Sequence, residues 1–164
     1  MGLDQYLYAK KYVSGGDYSN DTDKKTFAEI AKAMNVSHLF ITDNLPSAEV
    51  SIKVGQWRKA NQIHNWFVTN VQGGEDDCRQ YNVSKESLET LLDLCRQVYA
   101  KRDNDFAEEM LPTTSGFFFG DTSFDEHYYN DVLYTALKLE QLLADPTLSD
   151  TTGWGWEFSY QSSW

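Results

Sequence analysis

The sequence predicts an α+β domain, a single layered unit over residues 1–164 in which a small, mostly antiparallel sheet carries about four helices. Three observations lead there. Residues 3–13, 49–54 and 154–160 are tyrosine-rich or alternate apolar with polar, the period of strands. In residues 23–34, 54–71, 84–101 and 123–143 the apolar positions recur at three-and-four spacing, the period of helices. The two kinds of segment follow neither a regular β-α alternation nor a pure helical series, which argues against a doubly wound sheet or a bundle.

Taken in order, L-D-Q-Y-L-Y-A-K-K-Y-V at 3–13 ends at the turn-forming S-G-G-D and reads as the first strand. Phe27, Ile30, Ala31 and Met34 mark a short helix, with Thr22 or Asp23 as its cap. E-V-S-I-K-V at 49–54 alternates and stops at Gly55, a strand that feeds a helix over 54–71. Q-G-G-E-D-D closes that helix; a short strand at 80–83 precedes Ser84, which caps a helix reaching about Lys101. Its stripe of Leu88, Leu91, Leu92, Cys95, Val98 and Tyr99 suits packing against a sheet. A loop over 111–122 follows. Ser123 and Glu126 then form a capping box for a helix through Leu143, ended by Asp145-Pro146. In the aromatic tail, residues 147–164, the rings Trp154, Trp156, Phe158 and Tyr160 share one strand face and are expected to close the sheet.

Apolar residues make up 41% of the chain, and five Trp, ten Tyr and nine Phe supply ring area enough for a folded core. The net charge of −11, from 25 acidic and 14 basic side chains, disfavours direct binding to nucleic acid, which rests on Lys and Arg neutralising phosphates. The same charge serves ordinary colloidal solubility or, alternatively, fits an acidic surface that imitates nucleic acid in the groove of a host protein. Cys78 and Cys95 lack metal-type spacing, and Cys95 falls on a buried stripe as a core thiol. Without an apolar run of about 18 residues or a cleavable leader, no membrane partner is expected and the location is read as the cytosol.

The richest chemistry lies at V-G-Q-W-R-K-A-N-Q-I-H-N-W-F-V-T-N-V, residues 54–71. Read as one helix, it sets Trp57, Asn61 and His64 on a common face with Arg58 and Asn65 beside it, and opens its N-terminus near Arg58 and Lys59 to an anion. The competing reading puts Arg58 and Lys59 in surface ion pairs and His64 in a hydrogen-bonded core site. A second cluster, Thr113, Thr114 and Ser115 before Gly116 and three phenylalanines, offers hydroxyls and amides for an oxyanion, with Phe118 and its neighbours for stacking; a buried core strand is the alternative. G-x-x-x-x-G-K-[ST] is absent, so no nucleotide hydrolase is implied. Asp76, Asp77, Cys78, Asp125, Glu126, His127 and Asp131 follow no metal-binding pattern, and neither a metal nor a cofactor is expected.

The strings M-G-L-D-Q-Y-L-Y at 1–8, V-G-Q-W-R-K-A-N-Q-I-H-N-W-F-V at 54–68, D-D-C-R-Q-Y-N-V-S at 76–84 and L-P-T-T-S-G-F-F-F-G at 111–120 resemble a family of small bacteriophage and prophage proteins. The likeness covers most of residues 1–143. It implies a viral or prophage setting, hence the cytosol of a host cell, and no particular chemistry; the tail after Pro146 lies outside it.

These readings lead to a small-molecule-binding protein whose pocket, formed by Trp57, Arg58, Lys59, Asn61, His64, Thr113, Thr114, Ser115 and Phe118, takes an anionic, nucleotide-like ligand. Sequestering a host defence signal is the use that the phage setting suggests. The alternatives are the acidic inhibitor of a host protein and a phosphodiesterase or nuclease with His64 as general base; the balance leans against an enzyme. The abundance of rings further suggests a homodimer.

Overall fold

Alternation along the first strand decides which side of the sheet is buried. In the computed structural model, which describes residues 2–41, 45–149 and 155–164, β1 (Asp4–Ser14) buries Gln5, Leu7, Ala9 and Val13 and leaves Tyr6, Tyr8 and Lys10 partly open. It pairs antiparallel with β2 (Ser47–Arg58) on one side and β4 (Glu157–Ser163) on the other, and β3 (Tyr81–Val83) pairs antiparallel with β4. The sheet order is β2-β1-β4-β3. The tail therefore enters the middle of the sheet, with Phe158, Tyr160 and Ser162 opposite Ala9, Leu7 and Gln5. Its strand begins at Glu157, after Trp156; Trp154 lies outside the described residues.

The helices α1 (Asp21–Ala33), α2 (Asn61–Asn70), α3 (Lys85–Lys101), α4 (Asn104–Met110), α5 (Glu126–Ala144) and the single turn α6 (Pro146–Ser149) complete an α+β fold, with a 3₁₀ turn at Ser37–Phe40. The main core joins Leu7 and Ala9 of the sheet to Ile63 and Phe67 of α2, the α3 stripe, and Val132 and Leu139 of α5. A satellite core places Phe27 and Ala31 of α1 against Val13. Cys95 is fully buried in the main core, where loss of solvent pushes its thiol far up. The α3 stripe meets chiefly α5 rather than the sheet.

Three boundaries differ from the sequence reading. Asn20 caps α1, its side chain accepting from the Asp23 N–H, and Asp125 caps α5, accepting from the N–H groups of His127 and Tyr128; Ser123 is engaged instead with Asp121. The largest change falls on residues 54–58, which belong to β2 and not to a helix. Gly55 does not end the strand. It stands opposite Leu7 beside a register shift, where a Cβ would come within 3.0 Å of the Trp57 ring and 3.4 Å of the Leu7 Cβ. The chain turns at Lys59, which has a left-handed φ of 61°, and α2 starts only at Asn61.

Candidate functional site

The turn at Lys59 and the start of α2 divide the residues expected in one pocket. Trp57 points into the core, 3% exposed, and its indole N–H donates to Thr135 Oγ1 at 2.8 Å. Arg58 and Lys59 line a cleft of about 360 Å³ at the start of α5 together with Asp121, Asp125, His127 and Asp131. His64, Thr114, Ser115 and Phe118 line a second recess of about 470 Å³. The helix N-terminus expected near Arg58 lies instead at Asn61, because Arg58 ends a strand and the chain turns at Lys59.

Between the two cavities, Asn61 works as a clamp. Its amide donates to the carbonyl oxygens of Phe119 (3.2 Å) and Asp121 (2.8 Å), and its Oδ1 accepts the Thr114 N–H (3.1 Å). Asn65 donates to the Pro112 carbonyl at 3.2 Å. The polar face of α2 thus holds the loop 112–121 in place. Thr113 serves the same loop internally, donating to the Thr122 carbonyl. Gly120, with φ 87°, passes so close to Lys59 that a Cβ would lie 3.1 Å from the lysine's own. The three phenylalanines do not form a core strand: Phe117 is 95% exposed while Phe119 is buried.

Under the larger recess runs a buried polar chain. His64, 1% exposed, places Nδ1 2.8 Å from the Tyr160 hydroxyl and Nε2 2.9 Å from Asp76 Oδ2. The Tyr160 hydroxyl lies 3.3 Å from Gln5 Oε1, and Gln5 donates through its amide nitrogen to the Ala60 carbonyl at 3.1 Å. On the solvent side, the Trp164 indole N–H donates to Asp76 Oδ1 at 3.1 Å. The ionised Asp76 only accepts, so the ring N–H sits on Nε2. A neutral ring then accepts the Tyr160 proton at Nδ1; a charged ring donates from Nδ1 and frees that proton for Gln5. Burial, with the Asp76 charge adding to it, keeps the Tyr160 phenol well above its ordinary titration range, and its ring stacks on Phe67 at 3.9 Å. The inner imidazole nitrogen serves the fully buried Tyr160 hydroxyl and the outer one Asp76, so a general-base role toward a ligand would require breaking this chain.

The walls of the recess are aromatic. Phe119 meets the His64 ring edge-on at 5.1 Å and the Trp164 ring at 6.0 Å, and Phe117 and Phe118 form a perpendicular pair at 4.7 Å. Asp76, one quarter exposed, is the carboxylate at its edge. The sequence presents Asp76 only as a metal candidate and Tyr160 only as a ring closing the sheet, and Trp164 is not singled out there as a site residue. Trp164 had a signal, since it continues the period-two series of Phe158, Tyr160 and Ser162; Asp76 had none beyond an acidic turn.

In the smaller cleft, burial raises the Asp131 carboxyl to about 6, with the Asp125 charge adding to the rise and Gln62 and His127 opposing it. Among the described residues no three His, Cys, Asp or Glu side chains gather as a metal-type group, and no helix is long and apolar enough to cross a membrane. Comparison with protein-family models, curated proteins and solved structures yields no match.

Proposed function

We propose that the recess beside α2 binds a small molecule through a planar heteroaromatic group, with the nucleobase of a nucleotide-like ligand as the best fit. The observation that carries this reading is the Asp76 carboxylate, held from two sides by His64 and Trp164, at the edge of an aromatic recess of about 470 Å³. A flat ring can stack against Phe117 or Phe119 while its amino or imino N–H groups donate to the free lone pairs of Asp76. The cations Arg58 and Lys59 belong to the other cleft, so the base and not a phosphate supplies the recognition. An anionic tail would extend from the recess into solvent. The hydroxyl beside His64 belongs to Tyr160, which is fully buried, so the imidazole has no nucleophile within reach of a ligand and the arrangement supports binding rather than turnover. In the phage or prophage setting that the sequence resembles, sequestering a host signalling nucleotide is the use we infer.

The test is titration of the four ribonucleosides and their 5′-monophosphates into the ¹⁵N-labelled protein, following the Trp164 indole N–H resonance, assigned with Trp164→Phe. At least one base is expected to move it, and Phe117→Ala is expected to weaken that base's binding by about tenfold, since stacking on one ring contributes roughly 1–3 kcal/mol. Phe117 is almost fully exposed, so its removal leaves the fold intact. No response of the Trp164 resonance to any of the eight ligands would overturn the proposal.

A further inference from the structure

Quite apart from the recess, β2 is an edge strand whose sequence is complementary to itself. It pairs only with β1, and among the described residues none of residues 47–57 makes a backbone hydrogen bond outside the sheet ladder. Half of its N–H and C=O groups therefore face outward, a template for another strand. The register with β1 assigns its side chains to faces. Ala48, Val50 and Ile52 stand opposite Val13, Lys11 and Ala9 on the core side, whereas Glu49, Ser51 and Lys53 stand opposite Tyr12, Lys10 and Tyr8 on the other.

We infer that two copies of this chain pair antiparallel through β2, about a two-fold axis at Ser51, to make one continuous eight-stranded sheet. In that register Ser51 meets the partner's Ser51, Val50 meets the partner's Ile52, and Glu49 meets the partner's Lys53, with each pair repeated by symmetry. Facing residues of an antiparallel pair must lie on one sheet face, so the two-fold can only move in steps of one residue along the strand. Centred on Val50, it would set Glu49 against Ser51 and Lys53 against Ser47. A centre at Ile52 sets Ser51 against Lys53 and Glu49 against Gly55, and one at Glu49 brings the two glutamates together. Only the Ser51 centre joins opposite charges on one face and β-branched residues on the other.

The surroundings supply apolar area for such a contact. Ile52 is 48% exposed, and Met34, Leu39 and Ile41, exposed by 69%, 63% and 82%, are carried by the α1 and 3₁₀ segment whose Val36 and Phe40, like Ala48 and Val50, pack against the Val13, Phe27 and Ala31 cluster. The register shift beside Val54 ends the regular edge on one side. Glu49 lies 3.5 Å from Lys10, and Lys53 sits 4.0 Å over the Tyr6 ring, both groups of β1, so pairing draws the two charges from these inner neighbours toward the edge.

Sedimentation equilibrium of the full chain tests this with a charge-reversal cycle. The parent is expected to dimerise, and Glu49→Lys and Lys53→Glu are each expected to raise the dissociation constant by about tenfold or more. The double exchange is expected to restore it, because positions 49 and 53 of the two copies would again carry opposite charges, with their signs swapped. In a Cys78→Ser background, Ser51→Cys is expected to form an intermolecular disulfide on mild oxidation and Gln56→Cys is not. The inference is overturned if the parent is a monomer up to about 200 μM, a concentration that would populate even a weak isologous dimer. It is overturned equally if single reversals leave a dimer unchanged, if the double exchange fails to restore it, or if cysteines at 51 and 56 cross-link alike.

Discussion

Replacing Asn61 with alanine removes the side chain at the start of α2 that makes three hydrogen bonds to the loop 112–121. Three hydrogen bonds disappear together: two amide donations at 3.2 and 2.8 Å and the acceptance at 3.1 Å. A net intramolecular hydrogen bond contributes about 0.5–1.5 kcal/mol. Asp121 and Thr114 sit near solvent, so water replaces part of what they lose, whereas the Phe119 contact is buried. A cost of about 2–3 kcal/mol follows, or a fall in melting temperature of roughly 5–10 °C for a domain of this size. The Asn61 side chain is only 1% exposed, and truncation also leaves a small void in the helix start.

Urea unfolding followed by circular dichroism measures the loss, and amide exchange of residues 114–120 localises it. Protection in that loop is expected to drop more than protection in α3, because the clamp and not the core is removed. Asn61→Asp is the sharper variant. It keeps an acceptor for the Thr114 N–H but aims a carboxylate at two carbonyl oxygens, so it is expected to cost at least as much as alanine. If Asn61→Ala stays within about 0.5 kcal/mol of the parent and loop exchange is unchanged, the amide does not carry the loop and the reasoning fails.

Gly120→Ala is expected to destabilise by about 1–3 kcal/mol in the same unfolding assay, since φ 87° strains any L side chain and the new Cβ would press on Lys59 at 3.1 Å; a neutral result would refute the close approach. The raised Asp131 carboxyl predicts a pH signature. With the folded value at about 6 and the ordinary one at 3.8, protonation stabilises the fold fully below about 4, and that stability is lost as pH rises through about 6. The difference corresponds to about 3 kcal/mol, which solvent access to the half-buried side chain reduces to roughly 1–2. Asp131→Asn is therefore expected to exceed the parent in stability at about pH 8 and to lose that advantage by about pH 4. An advantage that grows on acidification would refute the assignment.

The elements with a long, unmixed period were legible in the sequence. Leu88, Leu91, Leu92, Cys95 and Val98 are all buried where their spacing put them, and Ser84 caps that helix by accepting the Ser87 N–H. Residues 54–71 were not, and the reason is physical. Trp57, Asn61 and His64 stand at four and three residues apart, but Trp57 is inward by strand alternation and the other two by helical period, with the left-handed Lys59 between. A short apolar run fits both periods, and the left-handed turn at a lysine leaves no compositional mark. The helix α4 was missed for a related reason: seven residues hold too few turns for a period, although Asp103 caps it.

The site was less legible than the fold because its floor is assembled from groups far apart in the chain. His64 meets Tyr160 across 96 residues, Gln5 meets Tyr160 across 155, and Asp76 meets Trp164 across 88. What joins them is the place of β4 beside β1: once Tyr160 stands opposite Leu7 and Ser162 opposite Gln5, the tail must emerge with Trp164 next to the start of β1. The sheet order therefore decides the chemistry of the recess. Had the tail capped an edge instead, Tyr160 would not stand opposite Leu7, and His64 would lose the hydroxyl that now fills its inner nitrogen. A histidine buried at 1% exposure with one nitrogen unpaired would carry a desolvation cost of about 1–3 kcal/mol, so the central position of β4 and the histidine on α2 stabilise each other.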